Sequence, residues 1–154
     1  MKPLKDPASF RDPYGYVFYE NGKVYRYIGP SCLEYYDKFL SSELYNQLVQ
    51  SEKLIPSEKC NECLTDDKGM VIRTEKIDFI SYPYQWCFSQ YKDAALLTLD
   101  IMTDALKHTM WLKDASAYNV QFHKGKAILL IPSHLKNIRK ALPGLPTNNS
   151  ASIF

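Results

Sequence analysis

Glycine is scarce in this chain, 6 residues in 154. Gly15, Gly22 and Gly29 stand too far apart to cradle a phosphate, and no GxxxxGK run followed by Ser or Thr exists. Histidine is scarcer, and His108, His123 and His134 are dispersed. The four cysteines, Cys32, Cys60, Cys63 and Cys87, do not space like a secreted disulfide scaffold. Cys60 and Cys63 make one CxxC, but zinc needs four ligands and no second pair stands nearby. A redox motif belongs between a strand and a helix, whereas this one reads as a polar loop, so the expectation is no metal. No Ser-His-Asp or Cys-His grouping supports hydrolysis. No surplus of one charge exists either: the net charge is +2 and the basic residues are scattered. Lys136, Arg139 and Lys140 cluster only as one solvated face, which argues against nucleic acid as a partner. No apolar run reaches the length of a membrane span, and Met1 to Phe10 lacks the apolar segment of a secretion signal. The expected location is the cytoplasm.

Tyrosine is plentiful, 12 residues, and Tyr14, Tyr16, Tyr19, Tyr25 and Tyr27 crowd one hairpin. Such residues offer apolar area with a polar rim, which suits half-buried sheets. Residues 1–13 contain Pro3, Pro7 and Pro13 and read as an extended, loosely attached segment. Residues 14–131 read as one α+β domain, and 132–154 as a divergent, partly disordered tail. Two β-rich runs, 16–20 and 23–28, flank Asn21-Gly22, which suits the left-handed dihedrals of a type I′ turn. A helix follows over 31–50, with Ser31 and Glu34 as its capping box and Ser41-Ser42 a point where it can break. Residues 53–68 read as irregular, with strands at 71–73 and 77–80. The dominant helix spans 89–108 under a Ser89 cap. Ala95, Leu99, Met102 and Leu106 form one apolar stripe; Ala94, Leu97, Ile101 and Ala105 form a neighbouring one. The spacing predicts a wide buried face that includes Leu99 and Met102, and hence a central helix. A second hairpin pairs 120–122 with 127–131 around Lys124-Gly125, and a short helix is expected at 133–141.

Chemistry concentrates in Leu112-Lys113-Asp114-Ala115-Ser116-Ala117-Tyr118-Asn119-Val120-Gln121-Phe122. Asp and Asn separated by four residues, between a helix and a hairpin, are how kinase-like phosphotransferases place two groups. The Asp accepts the proton of the attacking hydroxyl, and the Asn holds a magnesium ion on the phosphates. Asp114 is thus the candidate base and Asn119 the candidate Mg-nucleotide ligand. Asp and Asn are also ordinary turn formers, and spacing alone favours that plainer reading. The order of elements shifts the balance back. After the hairpin, where such an enzyme needs a second acid, the chain reads Ile128-Leu129-Leu130-Ile131-Pro132-Ser133-His134.

The run from Phe79-Ile80-Ser81-Tyr82-Pro83-Tyr84-Gln85-Trp86-Cys87-Phe88 to Leu99, the run 112–122, Asp12 to Phe18 and Val24-Tyr25-Arg26 carry a family resemblance. Over roughly residues 10–131 the chain resembles the N-terminal region of bacterial proteins labelled class I SAM-dependent methyltransferases, some called nodulation-type proteins. The resemblance implies a degenerate or partial protein-kinase-like fold, with an N-terminal β-hairpin, a central long helix and a second β-hairpin. It also implies a methyltransferase domain or subunit as partner. It does not imply methyl transfer by this chain, which lacks the glycine-rich first turn and the doubly wound sheet of such a site. The family's acid after the hairpin is replaced by Ile131 or Pro132, and no resemblance extends from there to Phe154.

Three functions fit these residues. The first is a kinase-like accessory module, a truncated pseudoenzyme that is not catalytic by itself, requires no cofactor and has Mg·ATP as its conceivable ligand. The second is a small-molecule phosphotransferase using Asp114 and Asn119, with Glu34, Asp78 or Asp93 replacing the lost acid. The third is an interaction domain docking through its tyrosine-rich hairpin.

Overall fold

The computed structural model describes residues 4–7, 9, 14–60, 68–112, 116–130 and 135–137. Asn21 and Gly22 adopt φ of 50° and 74°, the left-handed pair a type I′ turn requires. They join β2 (Gly15–Glu20) to β3 (Lys23–Ile28) in antiparallel register, Glu20 opposite Lys23 and Gly15 opposite Ile28. Gly15 must be glycine, because a Cβ there would lie 2.0 Å from the Tyr27 carbonyl oxygen. Among the described residues of the N-terminal segment, several are tied to the sheet. Leu4–Lys5 forms β1 against β2, Asp6 N–H donates to the Val17 carbonyl, and the Tyr19 hydroxyl donates to Asp6 Oδ2 at 2.8 Å.

The helix expected over 31–50 divides at Ser41-Ser42. Pro30–Cys32 forms a 3-10 turn, so Ser31 is not the cap, and α1 (Leu33–Leu40) starts behind Cys32. Ser42 caps α2 (Glu43–Gln50), its hydroxyl accepting from the Tyr45 N–H at 3.2 Å. The stretch expected to be irregular contains β4 (Ser57–Cys60), which pairs antiparallel with β5 (Met70–Thr74). One five-stranded sheet results, ordered β1-β2-β3-β5-β4. One face stacks Phe18, Tyr25 and Tyr27 with Val71; on the other, Ile28 and Ile72 meet Tyr36 of α1. The hairpin tyrosines therefore pack inward far more than they dock outward, Tyr19 excepted.

Residues 77–80 are not a strand; Ile77 instead packs against Ile55 and Ile128. The long helix is continuous as α3 (Phe88–Lys107), and its cap is Cys87 where Ser89 was expected. The Gln90 side chain reaches back to accept from the Cys87 N–H at 3.0 Å. Its burial departs from the expectation. Ala94, Leu97, Ile101 and Ala105 enter the main core with Leu44, Leu48, Leu54, Leu112, Val120 and Leu129. Leu99 is 63% exposed and Met102 only half-buried. Only one of the two stripes is covered, and α3 lies at the margin of the described core rather than its centre.

Past α3 come β6 (Met110–Leu112), β7 (Val120–His123), β8 (Lys126–Leu129) and β9 (Leu135–Asn137). The β7–β8 hairpin turns at Lys124 and Gly125, with φ of 51° and 79°. Within the segment expected to be helical, β9 is a strand pairing with β6, Asn137 opposite Met110. The two parts of the molecule are joined where Leu54 bridges Leu129 in parallel. There Ile55 N–H donates to the Leu129 carbonyl, and Leu129 N–H donates to that of Lys53.

Candidate functional site

The end of the chemistry-bearing loop is well defined. Ala117–Asn119 forms a 3-10 turn whose Ser116 hydroxyl accepts from the Tyr118 N–H, and Asn119 N–H donates to the Ser116 carbonyl. Leu130 N–H donates to the Asn119 carbonyl at 2.8 Å, so both backbone groups of Asn119 are fixed. Its side-chain nitrogen is covered from solvent and has no hydrogen-bond partner. A covered, unused amide costs free energy unless something accepts from it. Asp114 lies outside the described residues, as do Ile131 and Pro132. Leu130, within them, continues the apolar return strand with no acid.

The proposed substitutes for that acid are all exposed. Glu34 binds Lys38 at 2.7 Å on the exposed side of α1, and Asp78 and Asp93 are exposed. No group of three or more His, Cys, Asp or Glu able to hold a metal ion occurs among the described residues. Cys60 is half-buried at the end of β4 rather than in a loop, and Cys63 lies outside the described residues. Arg139 and Lys140 lie outside them too.

Three polar side chains are buried among the described residues: Arg26, Asp104 and Gln121. Arg26, on β3 opposite Ile72 and Val17, shares the sheet face of Ile28 that α1 covers. Asp104 receives Lys53 at 2.8 Å and Lys107 at 3.0 Å. These two ammonium groups hold its carboxyl below the usual range, against the opposing effect of burial. Gln121 grips the backbone of Ser81 in the segment leading to α3. The Trp86 indole N–H donates to the Ser81 hydroxyl at 2.9 Å, and the Trp86 ring meets Phe122 edge-on at 5.2 Å. Neither Gln121 nor Asp104 was picked out by sequence reasoning. The alternation of Val120, Gln121 and Phe122 predicts an outward-facing Gln121, so its burial had no local signal.

A separate cleft of about 260 Å³ lies at the turn end of the β7–β8 hairpin, lined by Glu52, Glu75, His123, Lys124 and Lys126. His123 Nε2 stands 3.3 Å from Glu75 Oε1, with Lys124 Nζ 3.5 Å from the same oxygen. The ring nitrogen is not aimed well enough for a hydrogen bond. Lys126 pairs with Glu52 and holds that carboxyl below its usual range. Two acids and two lysines cancel, so this cleft has no marked preference for ligand charge.

No protein-family model matches the sequence, and no solved structure matches it. The chain is similar to nodulation protein NoeA of Rhizobium meliloti (strain 1021), 29% identical over 143 residues. The match takes in 90% of this chain, a wider span than residues 10–131, and 29% of that protein. The chain thus spans less than a third of the length of this curated relative. No helix among the described residues is long and apolar enough to cross a membrane.

Proposed function

We propose that this chain is a kinase-like module that binds a magnesium–nucleotide weakly and transfers no phosphoryl group by itself. In this reading it serves beside a second domain or subunit of the methyltransferase type. What supports it is the order of parts. An antiparallel sheet carries two helices between its third strand and its last two. A linker follows, then a long helix, a short strand, the Asp114–Asn119 loop and a hairpin, the order of a kinase catalytic region. Arg26 is a buried cation on the strand that precedes the first helix, and in this reading that strand would correspond to the one that carries the phosphate-binding lysine in kinases.

The observation that carries the reading is Asn119. Its backbone is fixed at the mouth of the second hairpin, and its covered side-chain nitrogen has no hydrogen-bond partner, while the amide oxygen is the atom that would hold magnesium. The lack of phosphoryl transfer follows from the sequence, which has Ile131 or Pro132 where the resembled family has its second acid. Phosphoryl transfer depends on shared neutralisation of charge, and losing one magnesium ligand removes several kcal/mol of transition-state stabilisation. Calorimetric titration with ATP, with and without magnesium, tests this. The expected result is magnesium-dependent binding, weakened strongly by Asn119→Ala and only modestly by Asp114→Ala, without turnover. Absence of binding in both conditions would reject the module, and robust turnover abolished by Asp114→Ala would show it to be an enzyme. S-adenosylmethionine should not bind, because the sequence has no glycine-rich turn of that kind and no such sheet-edge crevice occurs among the described residues.

A further inference from the structure

α3 carries an uncovered strip that the nucleotide reading does not use. Phe88, Tyr91, Ala95, Leu99, Met102 and Leu106 recur every three or four residues, which places them on one side of the helix. Phe88, Leu99 and Leu106 are 84%, 63% and 52% exposed. The strip runs the length of the helix, about 27 Å at 1.5 Å per residue. Beside it lies a shallow groove of about 370 Å³ lined by Tyr91, Ala94, Ala95, Thr98, Leu99 and Ala117, with small residues that let another helix approach closely. With exposed Tyr118 at its edge, the strip amounts to several hundred Å² of contiguous apolar surface, the upper end of what a monomer exposes. One partner in a standard interface contributes about 800 Å², a comparable area.

We infer that this strip is a homodimer interface, in which α3 packs antiparallel against α3 of a second copy. A two-fold axis near the middle of the helix sets Ala95 of each copy opposite Leu99 of the other, small against large. It sets Phe88 opposite Leu106. Self-complementarity of this kind is what an isologous interface needs. The charge at the rim selects the direction. Lys92 is the α3 cation closest to the strip; parallel helices would set the two copies of it side by side. Antiparallel helices hold them about 15 Å apart along the axis, beyond the screening length of about 8 Å at physiological salt. No charge lies within the strip itself, so pairing it with its own copy buries none.

This inference stands apart from the nucleotide reading, and either can fail alone. Analytical ultracentrifugation of the full chain under reducing conditions, from roughly 1 to 100 µM, brackets a micromolar dimer. The wild type should dimerise in that range. Leu99→Asp and, separately, Leu106→Asp should each weaken the dimer by roughly 100-fold. Phe79→Asp, exposed but off the strip, should leave it unchanged. Both strip positions are solvent-facing in the monomer, so circular dichroism should show the variants folded; should one fail to fold, the other serves. A wild type that stays monomeric throughout would overturn the inference, because the strip would then be covered by something other than a second copy. So would a dimer that survives both substitutions.

Discussion

Gln121 holds Ser81 by two hydrogen bonds at once. Its Oε1 accepts from the Ser81 backbone N–H at 3.0 Å, and its Nε2 donates to the Ser81 carbonyl at 2.7 Å. A side-chain amide here does what a neighbouring strand would do. It fixes the segment between β5 and α3 against β7, next to Asn119. Gln121→Met keeps the volume but leaves two backbone groups without partners. The expected loss is about 2–3 kcal/mol, read from the urea midpoint at unchanged slope. Hydrogen exchange should quicken at residues 79–86 before the rest of the molecule.

Asp104 links α3 to the segment before β4 through Lys53. Its folded-state pKa is depressed, so the stability it contributes is present above the unfolded value of about 3.9 and is lost as pH falls through the lower, folded value. Thermal melts of the wild type should therefore lose stability below about pH 4 more steeply than melts of Asp104→Asn. At pH 7 the variant should be the less stable, by about 2–4 kcal/mol, since Lys53 and Lys107 both lose the charge of Asp104 and Lys53 keeps only Asp100 at 4.0 Å. Equal acid sensitivity in the two proteins would show that Asp104 does not govern this limb.

Thr109 follows the last turn of α3 at φ 56°, the left-handed region that a β-branched residue rarely adopts. Glycine is the usual residue at this place after a helix. Thr109→Gly should raise stability by about 1 kcal/mol, or about 2–4 °C in melting temperature, with no change in the spectrum. A lower melting temperature would mean that the threonine side chain contributes more than its backbone strain costs.

Gly15→Ala tests the close approach of β2 and β3. The added methyl would meet the Tyr27 carbonyl, which is backbone and cannot turn aside. A loss of about 1–3 kcal/mol is expected, with exchange rising first along β1 and β2.

Much of the local structure was legible in the sequence because it is decided locally. Asn21, Gly22 and Gly125 favour left-handed dihedrals wherever they stand, and Ser41-Ser42 marks the break between α1 and α2. The existence of α3 followed from its periodicity. What periodicity could not decide was which of two adjacent apolar stripes would be buried. That choice was made by the β7–β8 hairpin, α2 and β6, which cover the Ala94–Leu97–Ile101–Ala105 side and leave Leu99 in solvent. Strands β4 and β9 were missed for a related reason. Four and three residues of modest apolar character become strands only because β5 and β6 offer unpaired backbone edges. The candidate site divides in the same way. Residue types at a fixed spacing named Asn119 from the sequence alone. The grip of Gln121 on Ser81 and the pairing of Lys53 with Asp104 join residues 40 and 51 positions apart, and only the folded chain brings such residues within bonding distance.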